Sequence, residues 1–123
     1  MKDAFSTYLS SPTGEVIEAI FVGTRRTDPH GENLQAFDVT DHGWPSFMRV
    51  HPMLEWKYVE VWAFLQYMGL EWCELYDAGF TSLGGMRDTH PNPRLRYTDD
   101  EGRERFKPAW ELEEDAEERL GRD

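Results

Sequence analysis

Short apolar runs alternate with turn-rich stretches along the 123-residue chain, and their periods predict a few distinct elements. In residues 2–9 (KDAFSTYL), Phe5 and Leu9 lie four apart with Ala4 and Tyr8 beside them. This predicts the last turns of an amphipathic helix, with Met1 inside it, ending at SSPTG. Residues 15–23 (EVIEAIFVG) gather Val16, Ile17, Ala19, Ile20, Phe21 and Val22 into a run closed by glycine, which predicts a strand buried on both faces of an α/β sheet. From Gly23 to Pro45 turn formers dominate, including DPHGEN at 28–33 and TDHGWP at 40–45, so this stretch is expected to be loop. A loop of that length in a compact domain is usually functional. FMRVHP (47–52) fits a short strand ahead of a proline. Tyr58, Val61, Trp62, Leu65 and Met68 recur at helical spacing before Gly69, predicting a helix over 58–68 with a glycine C-cap. CELYD (73–77) adds one turn, while GFTSLGG (79–85) and HPNPRLRY (90–97) read as loops. Residues 111–120 contain good helix formers and predict a helix weakened by the like charges of Glu114 and Glu118.

Composition narrows the function classes. Apolar residues make up 39% and charged residues 30% of the chain, in the range of one globular domain spanning 1–123. The net charge of −11 disfavours nucleic acid and anionic membrane surfaces as partners, so any bound phosphate must be held by a few local arginines. Residues 99–123 hold 11 acidic and 5 basic groups, net −6, and form an acidic tail. One cysteine, Cys73, excludes disulfide frameworks and multi-cysteine metal sites, and packing as a small buried residue accounts for it. No apolar run approaches the roughly 18 residues of a spanning helix, and MKDAFSTYLSS lacks the core of a signal peptide. These features read as a soluble, cytoplasmic protein.

Candidate chemistry gathers in the loops. GTRRTDP (23–29) follows the apolar strand and should emerge at the carboxyl end of the sheet, where open α/β folds bind ligands. Arg25 and Arg26 offer planar donors for phosphate or carboxylate, while Asp28 can orient them, accept from a ligand amide, or cap its own turn. In TDHGWPSFMR, Trp44 is either a packing lid or a ring for a flat ligand, and Arg49 among apolar neighbours needs an anionic partner, with Asp41 nearby. GFTSLGG can cradle a phosphate through backbone N–H groups, although it matches neither common phosphate-loop pattern. His30, His42, His51 and His90 all fall in loops without metal-ligand spacing. Arg119 and Arg122 flank Leu-Gly at the tail, where cations also suit a helix terminus.

The motifs in their order carry more than any one of them. GTRRTDP, TD-x-GWP-x-FMR, HPMLEW before a W-x-FL helix, LYD-x-GFTSLGG, HPNP and a terminal W-x-L with ERLGR resemble, over nearly the whole chain, the FAD synthases (FMN adenylyltransferases) of eukaryotic type in the PAPS reductase-like family. The resemblance implies the carboxyl-terminal portion of a doubly wound α/β sheet of the adenine nucleotide alpha hydrolase-like kind. It also implies adenylyl transfer from ATP to FMN, giving FAD and pyrophosphate with Mg2+. By similarity, Gly23, Arg25 and Asp28 belong to the flavin motif, with Asp28 its essential acid. Asp41, Trp44 and Arg49 correspond to flavin-pocket residues, and Arg119 and Arg122 to an arginine pair over the nucleotide and flavin. The family's S/N-G-G-K-D loop of the ATP-binding half occurs nowhere in this sequence, and the stretch between HPNP and Trp110 is short for the family. The metal ligands stay unassigned. Three readings stand: the enzyme or its flavin-binding part, a flavin or nucleotide holder without turnover, and the reductive chemistry of PAPS reductases themselves. The last of these uses a cysteine near the carboxyl terminus, whereas Cys73 is mid-chain. A strand apolar on both faces needs cover, so an exposed sheet edge and apolar patch are expected, with self-association or a second chain supplying the ATP half.

Overall fold

A computed structural model describes residues 2–41 and 43–123, so the expectations for Met1 and His42 lie outside the described residues. The backbone divides into two compact units, Met1–Trp56 and Lys57–Asp123.

The first unit opens with helix α1 (Lys2–Leu9), which turns Phe5 and Leu9 inward. Ser11 Oγ then accepts the Gly14 N–H and donates to the Tyr8 carbonyl, closing the expected SSPTG stop. Three short strands follow: β1 (Ala19–Phe21), β2 (Phe37–Val39) and β3 (Met48–Val50). They form one sheet in the order β1-β3-β2, with β1 parallel and β2 antiparallel to β3. The register sets Ala19, Met48 and Val39 in one row and Phe21, Val50 and Phe37 in another. Because side chains alternate along a strand, these six apolar residues share one face. Phe21 is 78% exposed, Phe37 66% and Val39 57%.

Two expectations are corrected here. The apolar run 15–23 is a strand only over Ala19–Phe21, and it lies at the sheet edge with an exposed apolar face instead of being buried on both sides. Within the first unit β1 has a strand on one side only. The stretch 23–45 is mostly loop but contains β2, because Phe37 and Val39 alternate around Asp38 opposite β3. The expected apolar patch is present.

The second unit is built on α2 (Tyr58–Tyr67). Glu60 accepts the Lys57 N–H at 2.8 Å, and Asp115 from the tail accepts the Tyr58 N–H at 3.0 Å, placing two carboxylates at the positive end of the helix. Gly69 takes φ +62 just past the helix, the conformation glycine adopts at no steric cost. Tyr58 and Trp62 are buried and Val61 and Leu65 half-buried, but Met68 at the end of the predicted stripe is exposed. Trp62 is the centre of an aromatic cluster, with Tyr76 at 5.2 Å, Trp72 at 5.5 Å and Trp110 at 5.8 Å between centroids. Leu95, Ala109 and Leu112 complete this core.

A single 3-10 turn at Glu74–Tyr76 matches the expected turn, and Cys73 at its start is exposed, against the expectation of burial. Residues 90–97 are only partly loop: a 3-10 turn at Pro93–Leu95 leads into β4 (Arg96–Thr98), which pairs antiparallel with β5 (Glu104–Phe106). The tail does not form the helix expected over 111–120. It folds as 3-10 turns at Ala109–Glu111 and Asp115–Glu117, with Leu112 packed into the core of α2 and the Asp115 carboxylate on the Tyr58 N–H. Among the described residues no helix is long and apolar enough to cross a membrane.

Candidate functional site

The GTRRTDP turn leaves the sheet one residue after Val22, whose N–H still pairs with the Val50 carbonyl. Asp28 folds the turn back on itself: its Oδ2 accepts the Arg25 N–H at 2.8 Å, and its Oδ1 lies 3.5 Å from Arg25 Nη2. Arg25 is buried while the Asp28 carboxylate keeps 31% of its surface exposed, so the acid has one side on the turn and another open. The turn is tight enough that His30, a non-glycine residue, takes φ +66. Arg26 turns away from Asp28. Its guanidinium pairs with Glu55 and donates to the carbonyls of Glu32 and Leu34, and the Glu55 hydrogen bond holds the Glu55 carboxyl below its ordinary range. Gly23 lies exposed between β1 and the turn, with open space where a Cβ would stand.

Thr40, Asp41, Trp44, Phe47 and Arg49 line a cavity of about 250 Å³. Phe47 is buried, and Phe5 packs edge-on to it at 5.4 Å and to Trp44 at 6.2 Å. Trp44 is therefore held on one side by α1 and remains 42% exposed on the other. Arg49, in the middle of β3, donates to the Val39 carbonyl at 3.1 Å and lies 3.5 Å from the exposed Asp41 carboxylate. Its Nε is buried without a partner among the described residues. Leaving a guanidinium N–H buried and unmade is costly. The volume lies below the roughly 300–1,000 Å³ of a site enclosing a drug-sized ligand, so this cavity can take one ring system and leave the rest of a larger ligand outside.

The remaining predicted residues lie in the second unit. Arg119 is exposed, and its side chain makes no hydrogen bond or ion pair with the described residues. Arg122 lies along the GFTSLGG loop, with Nη1 2.9 Å from the Leu83 carbonyl and 3.3 Å from Ser82 Oγ. Its Nε is likewise buried without a partner among the described residues. Within the loop the Gly79 N–H goes to the Tyr76 carbonyl, the Phe80 N–H to the Leu75 carbonyl and the Gly84 N–H to Thr89 Oγ1 at 3.0 Å.

Sequence reasoning missed what fastens the tail. Asn92, fully buried, donates through Nδ2 to Thr81 Oγ1 and to the Glu117 carbonyl, both at 2.8 Å, and accepts the Arg94 N–H at 3.0 Å. Thr81 passes the hydrogen bond on to the Glu118 carbonyl at 2.6 Å. Only the HPNP string pointed there, and it reads as a turn. His51 and His90 serve structure: His51 Nδ1 lies 2.8 Å from the Gln35 carbonyl, and His90 pairs with Asp123 at 3.1 Å.

Residues 12–91 match the phosphoadenosine phosphosulfate reductase domain. The chain belongs to that family. A probable FAD synthase of Schizosaccharomyces pombe is 47% identical over 122 residues, which is 99% of this chain and 44% of that protein. The Candida glabrata FMN adenylyltransferase, solved with FMN and the ATP analogue AMPCPP, superposes with a TM-score of 0.91 at 34% identity, over 99% of this chain and 55% of that one. The same enzyme with FAD and inorganic pyrophosphate gives 0.91 at 34% identity, over 100% of this chain and 53% of that one. This chain thus spans about half the length of these relatives, and the expected mixed α/β fold of PAPS reductase type is the one observed.

Proposed function

We propose that this chain is the flavin-binding part of an FMN adenylyltransferase, an intracellular catalyst of FAD synthesis in the cytoplasm. One observation carries the reading: a ring-sized cavity walled by Trp44 and Arg49, with the Arg49 Nε buried and unmade, on a chain similar to enzymes solved with FMN and FAD. The exposed side of Trp44 is the stacking surface for the flavin ring, and Arg49 and Asp41 supply polar contacts at its rim. Asp28 is the acid beside the flavin, held by Arg25, and Gly23 lets the ligand approach the backbone. Arg119 and Arg122 neutralise phosphate charge.

In the reaction an oxygen of the FMN phosphate forms a bond to the α-phosphorus of ATP, and the bond from that phosphorus to the bridging oxygen of pyrophosphate breaks. Such chemistry asks for alignment and charge neutralisation, not for a covalent nucleophile, which suits the arginine set. The described residues contain no group of three or more His, Cys, Asp or Glu able to hold a metal ion. A magnesium ion in such a reaction is held by one or two carboxylates together with the phosphates of the substrate.

ATP binding calls for a second polypeptide segment carrying the family's S/N-G-G-K-D loop, joined to this chain or separate. The apolar sheet face of Phe21, Phe37 and Val39 is where such a segment would pack, because that face has no cover within the first unit. A second reading, a flavin holder without turnover, differs from the first in releasing no pyrophosphate.

Titration of the purified chain into FMN and FAD, followed by flavin fluorescence with and without ATP and Mg2+, tests both readings. Saturable quenching that weakens at least tenfold in Trp44→Ala is expected, an effect of the size that loss of one stacking ring gives. Pyrophosphate release in the same tube separates enzyme from holder. A folded chain that quenches neither flavin sinks the proposal.

A further inference from the structure

Gly84 is the floor on which the Arg122 guanidinium rests. A Cβ at Gly84 would overlap Cζ, Nη2 and Nε of Arg122, so the planar group lies directly over the glycine. A side chain there would push the guanidinium aside, while the Gly84 backbone itself has no positive φ. Two further contacts fix the orientation, Nη1 donating to the Leu83 carbonyl and to Ser82 Oγ. The backbone of Arg122 is pinned beside them by its bridge to Thr89. Nη1 is therefore engaged by the loop, while the opposite edge, Nε with Nη2, has no acceptor among the described residues, and Nε is already withdrawn from water. That edge is the parallel pair of donors that fits two oxygens of a phosphate.

We propose that Gly84, with Ser82, is a positioning residue: it holds the Arg122 guanidinium so that its Nε/Nη2 edge faces a phosphate of the bound nucleotide. The identity of that nucleotide rests on the adenylyltransferase reading, whereas the geometry does not. The glycine-rich loop then serves phosphate by presenting an arginine, its Gly84 N–H being occupied by Thr89.

The test uses the whole chain and three variants, Gly84→Ala, Ser82→Ala and Arg122→Lys. The Arg122 Nε–H signal in a nitrogen-15 correlation spectrum is assigned by its loss in Arg122→Lys. In Gly84→Ala that signal is expected to shift and to lose protection from solvent exchange, with a smaller shift in Ser82→Ala and a melting temperature within about 2 °C of the parent for both. FAD affinity, read by fluorescence quenching, is expected to fall about tenfold in Gly84→Ala and in Arg122→Lys. The double variant should bind no more weakly than Arg122→Lys alone, because Gly84 acts through Arg122. Additive losses, or an Nε–H signal unmoved in both loop variants, would overturn the proposal. If the parent chain binds no flavin, pyrophosphate becomes the probe. A response of the Nε–H signal to pyrophosphate that is lost in Gly84→Ala supports the positioning role while removing the flavin reading, and no response removes both.

Discussion

Asn92→Ala is the sharpest perturbation of the second unit. The side chain is fully buried and makes three hydrogen bonds, to Thr81, Glu117 and Arg94, that tie the glycine-rich loop and the tail together. Each is worth about 1 kcal/mol net, and the Glu117 carbonyl keeps only the Leu120 N–H at 3.2 Å, so a loss of about 3 kcal/mol is expected. For a unit the size of Lys57–Asp123 this lowers the melting temperature by roughly 10 °C or more. Asn92→Asp keeps the shape but turns the donor into an acceptor facing the Glu117 carbonyl, and should destabilise at least as strongly. Thermal and urea unfolding followed by tryptophan fluorescence reads the effect, because Trp62, Trp72 and Trp110 all report on this unit. Limited proteolysis should show cleavage within 114–123 appearing first. A fall of less than about 3 °C for Asn92→Ala, with the tail still resistant, would refute the assignment of Asn92 as the fastening point.

Other expectations concern separate parts of the chain. Asp28→Ala removes the cap on the Arg25 N–H and should cost about 1–2 kcal/mol, while Asp28→Asn retains an acceptor and costs less; both should abolish FAD formation if Asp28 is the acid beside the flavin, measured by pyrophosphate release and urea midpoints. Burial, with Cys73 and Glu118 nearby, holds the Tyr76 hydroxyl above its ordinary value of 10.0. The unfolded chain therefore loses this proton first as pH rises, so stability falls above pH 10.0, and Tyr76→Phe should flatten that alkaline limb in urea titrations. Asp99 is held below its ordinary 3.8 by the Arg103 N–H first, and by Arg105 and Arg103 side chains. The support it gives the β4–β5 turn is present above pH 3.8 and lost as pH falls through the lower folded value, and amide chemical shifts of 99–103 should follow that titration. Phe21→Asp should abolish binding of a polypeptide carrying a relative's ATP-binding half, read by analytical ultracentrifugation. Undiminished binding would point to another face.

The sequence by itself determined the elements whose cause is local. Helix α2 follows from the period of Tyr58, Val61, Trp62 and Leu65 and from the glycine after it, and β3 from three residues ahead of a proline. The turn at Asp28 was legible because aspartate caps its own backbone within three residues. Trp44, Asp41 and Arg49 lie close in sequence, so their meeting around one cavity needed only the short β2–β3 connection. What required the tertiary structure has causes distant in sequence. The run 15–23 looked buried because apolarity records what a strand is made to pack against, not whether the partner is present in the same unit. The tail reads as a helix from its composition, yet Asp115 is drawn to the start of α2, 57 residues away, and Leu112 to the aromatic core. Asn92 in a proline-flanked turn gives no sign that it is the hub, since its three partners come from two loops and the tail. Gly84 is likewise silent in sequence: a glycine demanded by φ leaves a turn signature around it, whereas one that lies against an arginine 38 residues on is visible only when the two are brought into contact.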